Sequence, residues 1–479
     1  MATFDLLKLP ISEMASKIKS KEVSPVELTS EALSYAESQQ ANLNSFISIL
    51  YDQALLQARN AESDIIQGNY KSPLHGIPIG IKDNIATAGI RTTLGSKVLN
   101  DHIPQSDAHV VTRCKDAGAI ILGKENMEEF AMGAASNNPH FGAVHNPWNL
   151  DHTPGGSSGG GAANTASLVT FASLGTDFGG SVRMPASFCG VVGLKQTFGL
   201  VSQRGMLGTT FNGDHIGPLV RTVRDCAILL QVMAGYDALD PSTVPVPIPD
   251  YIANLDSPLN GITIGIPSNY YFEVIDTEIQ DNVLNAIKKF EDFGVKLKNI
   301  SLPNMKYAAA IRAAALADSL VLHEQYIRSN RRDYSDDSLY RALAGQFILG
   351  RDYAKALKVQ RIIKEEYLRV FQEVDCIATP TTPVAAPLLD SPTFKLCGEE
   401  HPLKGPGSGA VSRNTSPANA TGLPAISIPC GLTAKQNLPI GLQLIGRPFD
   451  EKLLFRLGHA YERTSPMRMK YPPLIDAQC

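Results

Sequence analysis

Ile77-Pro78-Ile79-Gly80-Ile81, closed by Lys82, and Ala119-Ile120-Ile121-Leu122 are short apolar runs whose length suits buried strands. Between them, Asp107 to Ala117 reads as a helix. A strand, a helix and a second strand are the local signature of an α/β fold. Toward the N-terminus, Ser24-Pro25-Val26-Glu27 has the form of a capping box with proline at the first helical position, and Leu28, Ala32, Tyr35 and Ala36 then share one face. Toward the C-terminus, Ala162 to Ala172 reads as a buried helix and Gly261 to Ile266 as a strand. Ile279, Val283, Ile287 and Phe290 mark an amphipathic helix that Gly294 ends. A helical region covers 305–373, and strands return at Val374–Ala378, Ala425–Ile428 and Ile440–Ile445, which predicts that they join the same sheet.

The composition sets bounds. The 479 residues are 43% hydrophobic and 19% charged, enough to bury a sizeable core. A net charge of −4 and the absence of a basic tail give no electrostatic reason to bind nucleic acid or anionic lipid. Seven cysteines, Cys114, Cys189, Cys226, Cys376, Cys397, Cys430 and Cys479, are widely spaced and form no C-x-x-C, which predicts reduced thiols and a cytoplasmic location. No apolar run reaches the length of a membrane span, and the start of the chain does not have the pattern of a signal peptide. The clearest composition break, Asp240 to Pro249 with its four prolines, resists helix. It predicts an extended excursion over the surface near 240–260.

The familiar chemical motifs are missing. There is no zinc-ligand spacing among the histidines and cysteines, no phosphate loop ending in Gly-Lys-Ser/Thr and no G-x-S-x-G elbow. His215, beside Asp214, is the best candidate for a histidine base, and a structural histidine is its plainer reading. Two glycine–serine turns remain: Gly155-Gly156-Ser157-Ser158-Gly159-Gly160-Gly161, and Gly175-Thr176-Asp177-Phe178-Gly179-Gly180-Ser181-Val182-Arg183. Glycine lets backbone amides converge on an anion, and in acyl transfer that anion is the oxygen of the tetrahedral intermediate. A serine at such a turn needs a base, and a buried, neutral lysine can serve. Lys82 ends a strand that could deliver one. Taken singly, each feature has a bland reading, a simple turn or a solvated strand end.

Together they resemble the amidase signature family. The resemblance is carried by Gly76-Ile77-Pro78-Ile79-Gly80-Ile81-Lys82-Asp83-Asn84, by Gly155 to Lys195, by Gly123 to Phe130 and by Asn419 to Ala425. It implies one α/β domain, residues 1–479, built on a large twisted mixed sheet with helices on both faces. It implies Ser181 as nucleophile, Ser157 as proton relay behind a cis peptide bond after Gly156, and Lys82 as base. The backbone amides of Phe178, Gly179, Gly180 and Ser181 would form the oxyanion hole. Ser158, Asp177 and Arg183 would support the turns, and Met132 and Arg413 are candidates for the substrate wall. A solvated surface arginine is the plain alternative for Arg413. The implied reaction is hydrolysis of a small-molecule carboxylic amide to an acid plus ammonia or an amine, with no cofactor, no metal, no direct nucleic-acid contact and no membrane. A homodimer is left open.

Several stretches, among them Met127 to Gly133 and Leu438 to Gly446, are similar to the A subunit of tRNA-dependent amidotransferases, which releases ammonia from glutamine. Others depart from it. Where that subfamily carries Arg-Arg-Ile-x-Leu-Gly, this chain has Tyr340-Arg341-Ala342-Leu343-Ala344-Gly345, and Ser412 stands where it has an aspartate suited to the glutamine amino group. The departures favour a free-standing amidase. The alternatives are that amidotransferase chain, a hydrolase of urea-like amides such as allophanate or carboxybiuret, and a non-catalytic scaffold; the presence of Lys82, Ser157 and Ser181 together speaks against the last.

Overall fold

The computed structural model describes residues 3–208, 213–405, 408–468 and 470–476. Eleven strands form one mixed sheet: β1 (Phe46–Ile49), β2 (Pro78–Lys82), β3 (Ile120–Glu125), β4 (Ala172–Thr176), β5 (Val192–Lys195), β6 (Ile216–Val220), β7 (Thr263–Pro267), β8 (Lys296–Ile300), β9 (Cys376–Pro380), β10 (Ala425–Leu432) and β11 (Pro439–Gly446). Across the sheet they run β1-β3-β2-β4-β6-β5-β10-β11-β9-β7-β8. The neighbours β3, β2 and β4 are parallel, as are β9, β7 and β8. The strands between these two parallel groups pair antiparallel. Strands from both sides of the proline-rich segment therefore share one sheet.

Alternation along the strands assigns the two faces. Leu219 packs with Ala162, Val182 and Ala186 of the helices Gly159–Ala166 and Arg183–Cys189 and the turn before the second, whereas its neighbour Val220 joins Val223, Cys226 and Leu230 in the larger core on the other side. On β5, Gly193 faces the first group so closely that a Cβ there would lie 2.6 Å from that of Ala186, while Val192 and Leu194 face the larger core.

The N-terminal reading corresponds to a helix over Pro25–Leu43, with Ser24 Oγ accepting from the amides of Val26 at 3.1 Å and Glu27 at 3.2 Å. The predicted amphipathic helix is Thr277–Lys288, continued by a 3-10 turn that ends on Gly294 in the left-handed region. The region 305–373 divides into the helices Arg312–Asn330, Asp336–Leu343 and Gly350–Val370, joined by short turns.

One expectation is corrected. The helix expected over Ala162 to Ala172 begins earlier, at Gly159, and ends at Ala166; Leu168 then takes φ 69° and Ala172 already opens β4. The three glycines that read as a turn are helical, and that helix end lies so hard against the chain that it leaves no room for a side chain. A Cβ on Gly160 would meet the carbonyl oxygens of Asn126 at 2.4 Å and Ser45 at 2.5 Å. The segment near 240–260 is irregular, as its prolines demand, and much of it is exposed, with a few side chains anchoring it. Tyr251, Leu255 and Leu259 are buried in the main core, and the Tyr251 ring meets Phe455 edge-on at 5.6 Å.

Cys114, Cys189, Cys226, Cys376, Cys397 and Cys430 are free thiols, and Cys479 lies outside the described residues. Among the described residues no helix is long and apolar enough to cross a membrane.

Candidate active site

Lys82, Glu125 and Thr176 are the last residues of β2, β3 and β4, three adjacent parallel strands. The space beyond the carboxyl ends of parallel strands is where α/β sheets collect ligands. Both glycine–serine turns enter it. Ser158 N donates to Ser181 O at 3.2 Å, so the two turns are joined backbone to backbone. The Gly156–Ser157 peptide bond is cis.

Lys82 Nζ lies 2.6 Å from Ser157 Oγ and 2.8 Å from Thr176 Oγ1, and both Lys82 and Ser157 are buried. Burial strips water from the ammonium and lowers Lys82 from its ordinary value to about 7, against the opposing pull of Asp214, Asp177, Glu125 and Glu128. Asn84 Nδ2 donates to Thr176 Oγ1 at 3.1 Å, fixing the hydroxyl that flanks the lysine. Ser158 Oγ donates to Thr176 O and accepts from Thr176 N, each at 3.2 Å, which ties the first turn to the end of β4. Behind Gly156 lies the Gly133–Ala135 backbone, since a Cβ on Gly156 would come within 2.8 Å of Ala135 N.

Ser181 is half-buried at the start of the Arg183–Cys189 helix. Its turn is folded around Asp177, whose carboxylate accepts from Gly180 N at 2.8 Å, Val182 N at 3.2 Å and Arg183 N at 3.3 Å, and pairs with Arg183 Nη2 at 2.9 Å. Burial alone would raise the Asp177 pKa; the Arg183 charge and the hydrogen bonds from Arg183 and Asn419 overcome it and hold the carboxyl well below the usual range. Gly180 has φ 122°, and a Cβ there would sit 2.1 Å from Thr415 Oγ1, so both conformation and space demand glycine.

The four amides expected to face an oxyanion divide. That of Gly180 donates to Asp177 Oδ1 at 2.8 Å. Those of Phe178, Gly179 and Ser181 make no hydrogen bond among the described residues.

The two candidates for the substrate wall are placed as follows. Met132 is buried with Leu94, Phe130 and Leu339, its carbonyl accepts from Arg341, and its chain runs on into the Gly133–Ala135 backbone behind Gly156. Arg413 is occupied by its own chain: its guanidinium stacks 4.0 Å over the Tyr270 ring, donates to Tyr270 O at 3.0 Å and lies 3.7 Å from Glu273. Among the described residues no hydrogen bond or ion pair joins it to the Ser181 turn. His215 is structural, with Nδ1 2.7 Å from Gly213 O and Nε2 3.2 Å from Lys195 Nζ, and burial depresses its pKa well below the ordinary value.

Sequence reading missed several contributors. Thr415 Oγ1 and Ser416 Oγ donate to Gly179 O at 2.6 and 3.3 Å. Asn419 Nδ2 donates to Asp177 Oδ1 at 2.8 Å, and Gln443 Oε1 accepts from Arg183 Nη1 at 2.8 Å. The stretches Asn419–Ala425 and Leu438–Gly446 were marked by resemblance, but nothing in them announces a partner more than 230 residues earlier in the chain.

Fold and relatives together make this chain an α/β enzyme that hydrolyses carbon–nitrogen amide bonds. It belongs to the amidase signature family: the Amidase family model matches residues 27–455. The A subunit of a glutamyl-tRNA(Gln) amidotransferase from a Geobacter species is 38% identical over 496 aligned positions, covering 98% of this chain and 100% of its own. The A subunit of the Lachnoclostridium phytofermentans enzyme is 40% identical over 504, with the same coverage. Among solved structures, a chain from a vestigial protein complex that bears on the evolutionary origins of an s-triazine catabolic enzyme has a TM-score of 0.92 at 29% identity, covering 96% of this chain and 100% of that one. A bacterial aryl acylamidase of the amidase signature family has 0.88 at 26%, and the glutamyl-tRNA(Gln) amidotransferase A subunit of Thermotoga maritima has 0.79 at 34%, each covering 98% of both chains.

Proposed function

We propose that this chain hydrolyses a carboxylic amide through an acyl-enzyme on Ser181, with Ser157 as relay and Lys82 as base. The observation that carries the reading is the buried contact of Lys82 Nζ with Ser157 Oγ at 2.6 Å, by a lysine whose pKa lies near 7 and which is therefore largely neutral just above neutrality. Ser181 Oγ bonds to the amide carbon while its proton passes to Ser157 and the Ser157 proton to Lys82. The amides of Phe178, Gly179 and Ser181 receive the oxyanion. The chain then returns a proton to the departing nitrogen as the C–N bond breaks. Water adds to the acyl carbon by the same route, giving its proton to the chain, and Ser181 is restored as the acid leaves.

For the substrate, full-length identity of 38–40% to curated A subunits favours glutamine as the amide, with the chain working beside other subunits of a tRNA-dependent amidotransferase. A second reading, a free-standing amidase acting on another small amide, is favoured by Ser412 standing in place of the expected aspartate. Its Oγ donates to Gly409 O at 3.3 Å and offers no charge to an amino group. The higher TM-score to the aryl acylamidase, 0.88 against 0.79 for the Thermotoga maritima chain, points the same way.

The test is ammonia or amine release by the purified chain from glutamine and from a panel of aliphatic and aromatic amides, with Ser181→Ala alongside. Loss of about 10³-fold or more in the variant, together with loss of fluorophosphonate labelling, is expected. Undiminished turnover in Ser181→Ala would sink the mechanism. Glutamine turnover that needs copurifying subunits would favour the first substrate reading, and turnover of simple amides by the chain alone the second.

A further inference from the structure

Glu125 is a buried carboxyl that the proposed mechanism leaves without a task. It ends β3 in register with Lys82 on the parallel strand β2, and its side chain is fully buried. Register partners on adjacent strands share a face, and so do residues two apart on one strand, which puts Glu125, Lys82 and Gly80 on the same side of the sheet. Gly80 supplies the opening. A Cβ on it would lie 1.8 Å from Glu125 Oε1, so the carboxyl lies across β2 where that strand has no side chain. On the far side Ser173, the register partner of Gly80 on β4, donates its hydroxyl to Oε1 at 2.6 Å. From above, Asn164 Nδ2 of the Gly159–Ala166 helix donates to the same oxygen at 3.1 Å. That helix comes close through Gly161, where a Cβ would be 2.8 Å from Oε2.

Two consequences of this cradle matter. Among the described residues Oε2 is buried with no hydrogen-bond partner, a costly arrangement that packing alone does not require. The other two elements packed on the carboxyl, β4 and the Gly159–Ala166 helix, contain no ionisable residue at all. The charged groups that act on it are Lys82 from β2 and Lys124 of its own strand; Lys124 is turned to Asp83, 3.8 Å away, and to the hydroxyls of Thr87 and Thr92. Asp177, Asp214 and Glu128 act on Lys82 as well. Burial raises Glu125 to about 7, with Ser173, Asn164, Lys124 and Lys82 opposing, which is the range in which Lys82 itself titrates.

We propose that Glu125 is a positioning residue that holds the counter-charge for Lys82, its carboxylate lying across the bare Gly80 to balance the ammonium formed when Lys82 takes the proton from Ser157. This rests on Lys82 being the base. No bond to the substrate is made by Glu125, and no proton need leave it; the carboxylate steadies the protonated lysine until the proton returns to the leaving nitrogen.

The test is the pH profile of kcat/KM for the wild-type chain, Glu125→Gln and Lys82→Met, with melting curves for each. Removing the carboxylate removes a stabiliser of the ammonium, so Lys82 loses its proton at lower pH. The acid limb of Glu125→Gln is expected to move down by about one pH unit, with kcat reduced about tenfold. A folded Glu125→Gln enzyme whose limb stays at the wild-type position would overturn the proposal, because a merely structural carboxyl would not move it. If Glu125→Gln does not fold, Ser173→Ala serves. It deletes one donor to the carboxylate, weakens the counter-charge, and should shift the limb in the same direction by a smaller amount; an unmoved limb there also overturns the proposal. Lys82→Met separates the two claims. If it is inactive while the limb does not move in the Glu125 variant, only the counter-charge fails; if it keeps wild-type turnover, the base assignment fails and the counter-charge with it.

Discussion

Lys82 shows how one residue's chemistry is paid for in stability. In the unfolded chain its amine titrates near its ordinary value of 10.5, and in the fold near 7. Between those values the unfolded state binds more protons, so this residue opposes folding at pH 7, and the opposition fades as pH rises toward 10.5. Lys82→Met should therefore abolish turnover and at the same time raise stability at pH 7 by roughly 1–3 kcal/mol, the gain from ending the desolvation being partly offset by two hydroxyls that lose a partner. Thermal melting of the two proteins at pH 7 checks this; a variant less stable than wild type would mean that the lysine is held by more than it costs. The same titration gives kcat/KM an acid limb with a midpoint near pH 7, activity rising with pH as the amine becomes neutral. At this scale the sequence was most legible. Lysine after an apolar run, and serine after paired glycines, are residue types that carry a chemical possibility on their own. Gly180 carries a second demand that no residue type announces: its amide donates to the Asp177 carboxylate that folds the turn.

At the scale of elements, the turn between β4 and the Arg183–Cys189 helix is organised by one buried ion pair. Asp177 accepts three backbone amides and Arg183 in turn reaches Thr415 O, Gln443 and Asn419. Removing one member of such a pair leaves the other buried and unpaired, so Asp177→Asn should cost about 3–5 kcal/mol and be read in urea unfolding at pH 7. The variant should also lose activity, since the amides of Phe178, Gly179 and Ser181 are positioned by the same turn. Because the Asp177 pKa is depressed, its contribution is fully present above the unfolded value of 3.8 and is lost only as pH falls through the lower folded value. Wild type and variant should therefore differ most above pH 4 and converge in stronger acid. The Gly159–Ala166 helix illustrates the limit of periodicity. A run of three glycines scores as a turn, yet here it is a helix end pressed onto the carbonyls of Asn126 and Ser45.

At the scale of the molecule, the eleven-stranded sheet joins sequence from both sides of the proline-rich segment, and that segment is docked by Tyr251 against Phe455. Tyr251→Ala should destabilise the protein by about 3 kcal/mol through the cavity it leaves, while kcat/KM at 25 °C stays near wild type because the β2–β3–β4 end of the sheet is built from other residues. A melting temperature equal to wild type would show that the segment is a passive excursion after all.

The sequence by itself determined the α/β fold class, because strand and helix periodicity is a local pattern, and it marked Lys82, Ser157 and Ser181 as candidates through two glycine–serine turns and the resemblance to the amidase signature family. Only the tertiary structure decided which of those residues are served by others. Thr415, Ser416, Asn419 and Gln443 reach the Ser181 turn from a short helix, its N-cap and a strand far along the chain, and Glu125 lies beside Lys82 only because parallel pairing sets their strand ends in register. Such contacts depend on strand order and register, and those are set by burial across the whole sheet rather than by any short stretch of sequence.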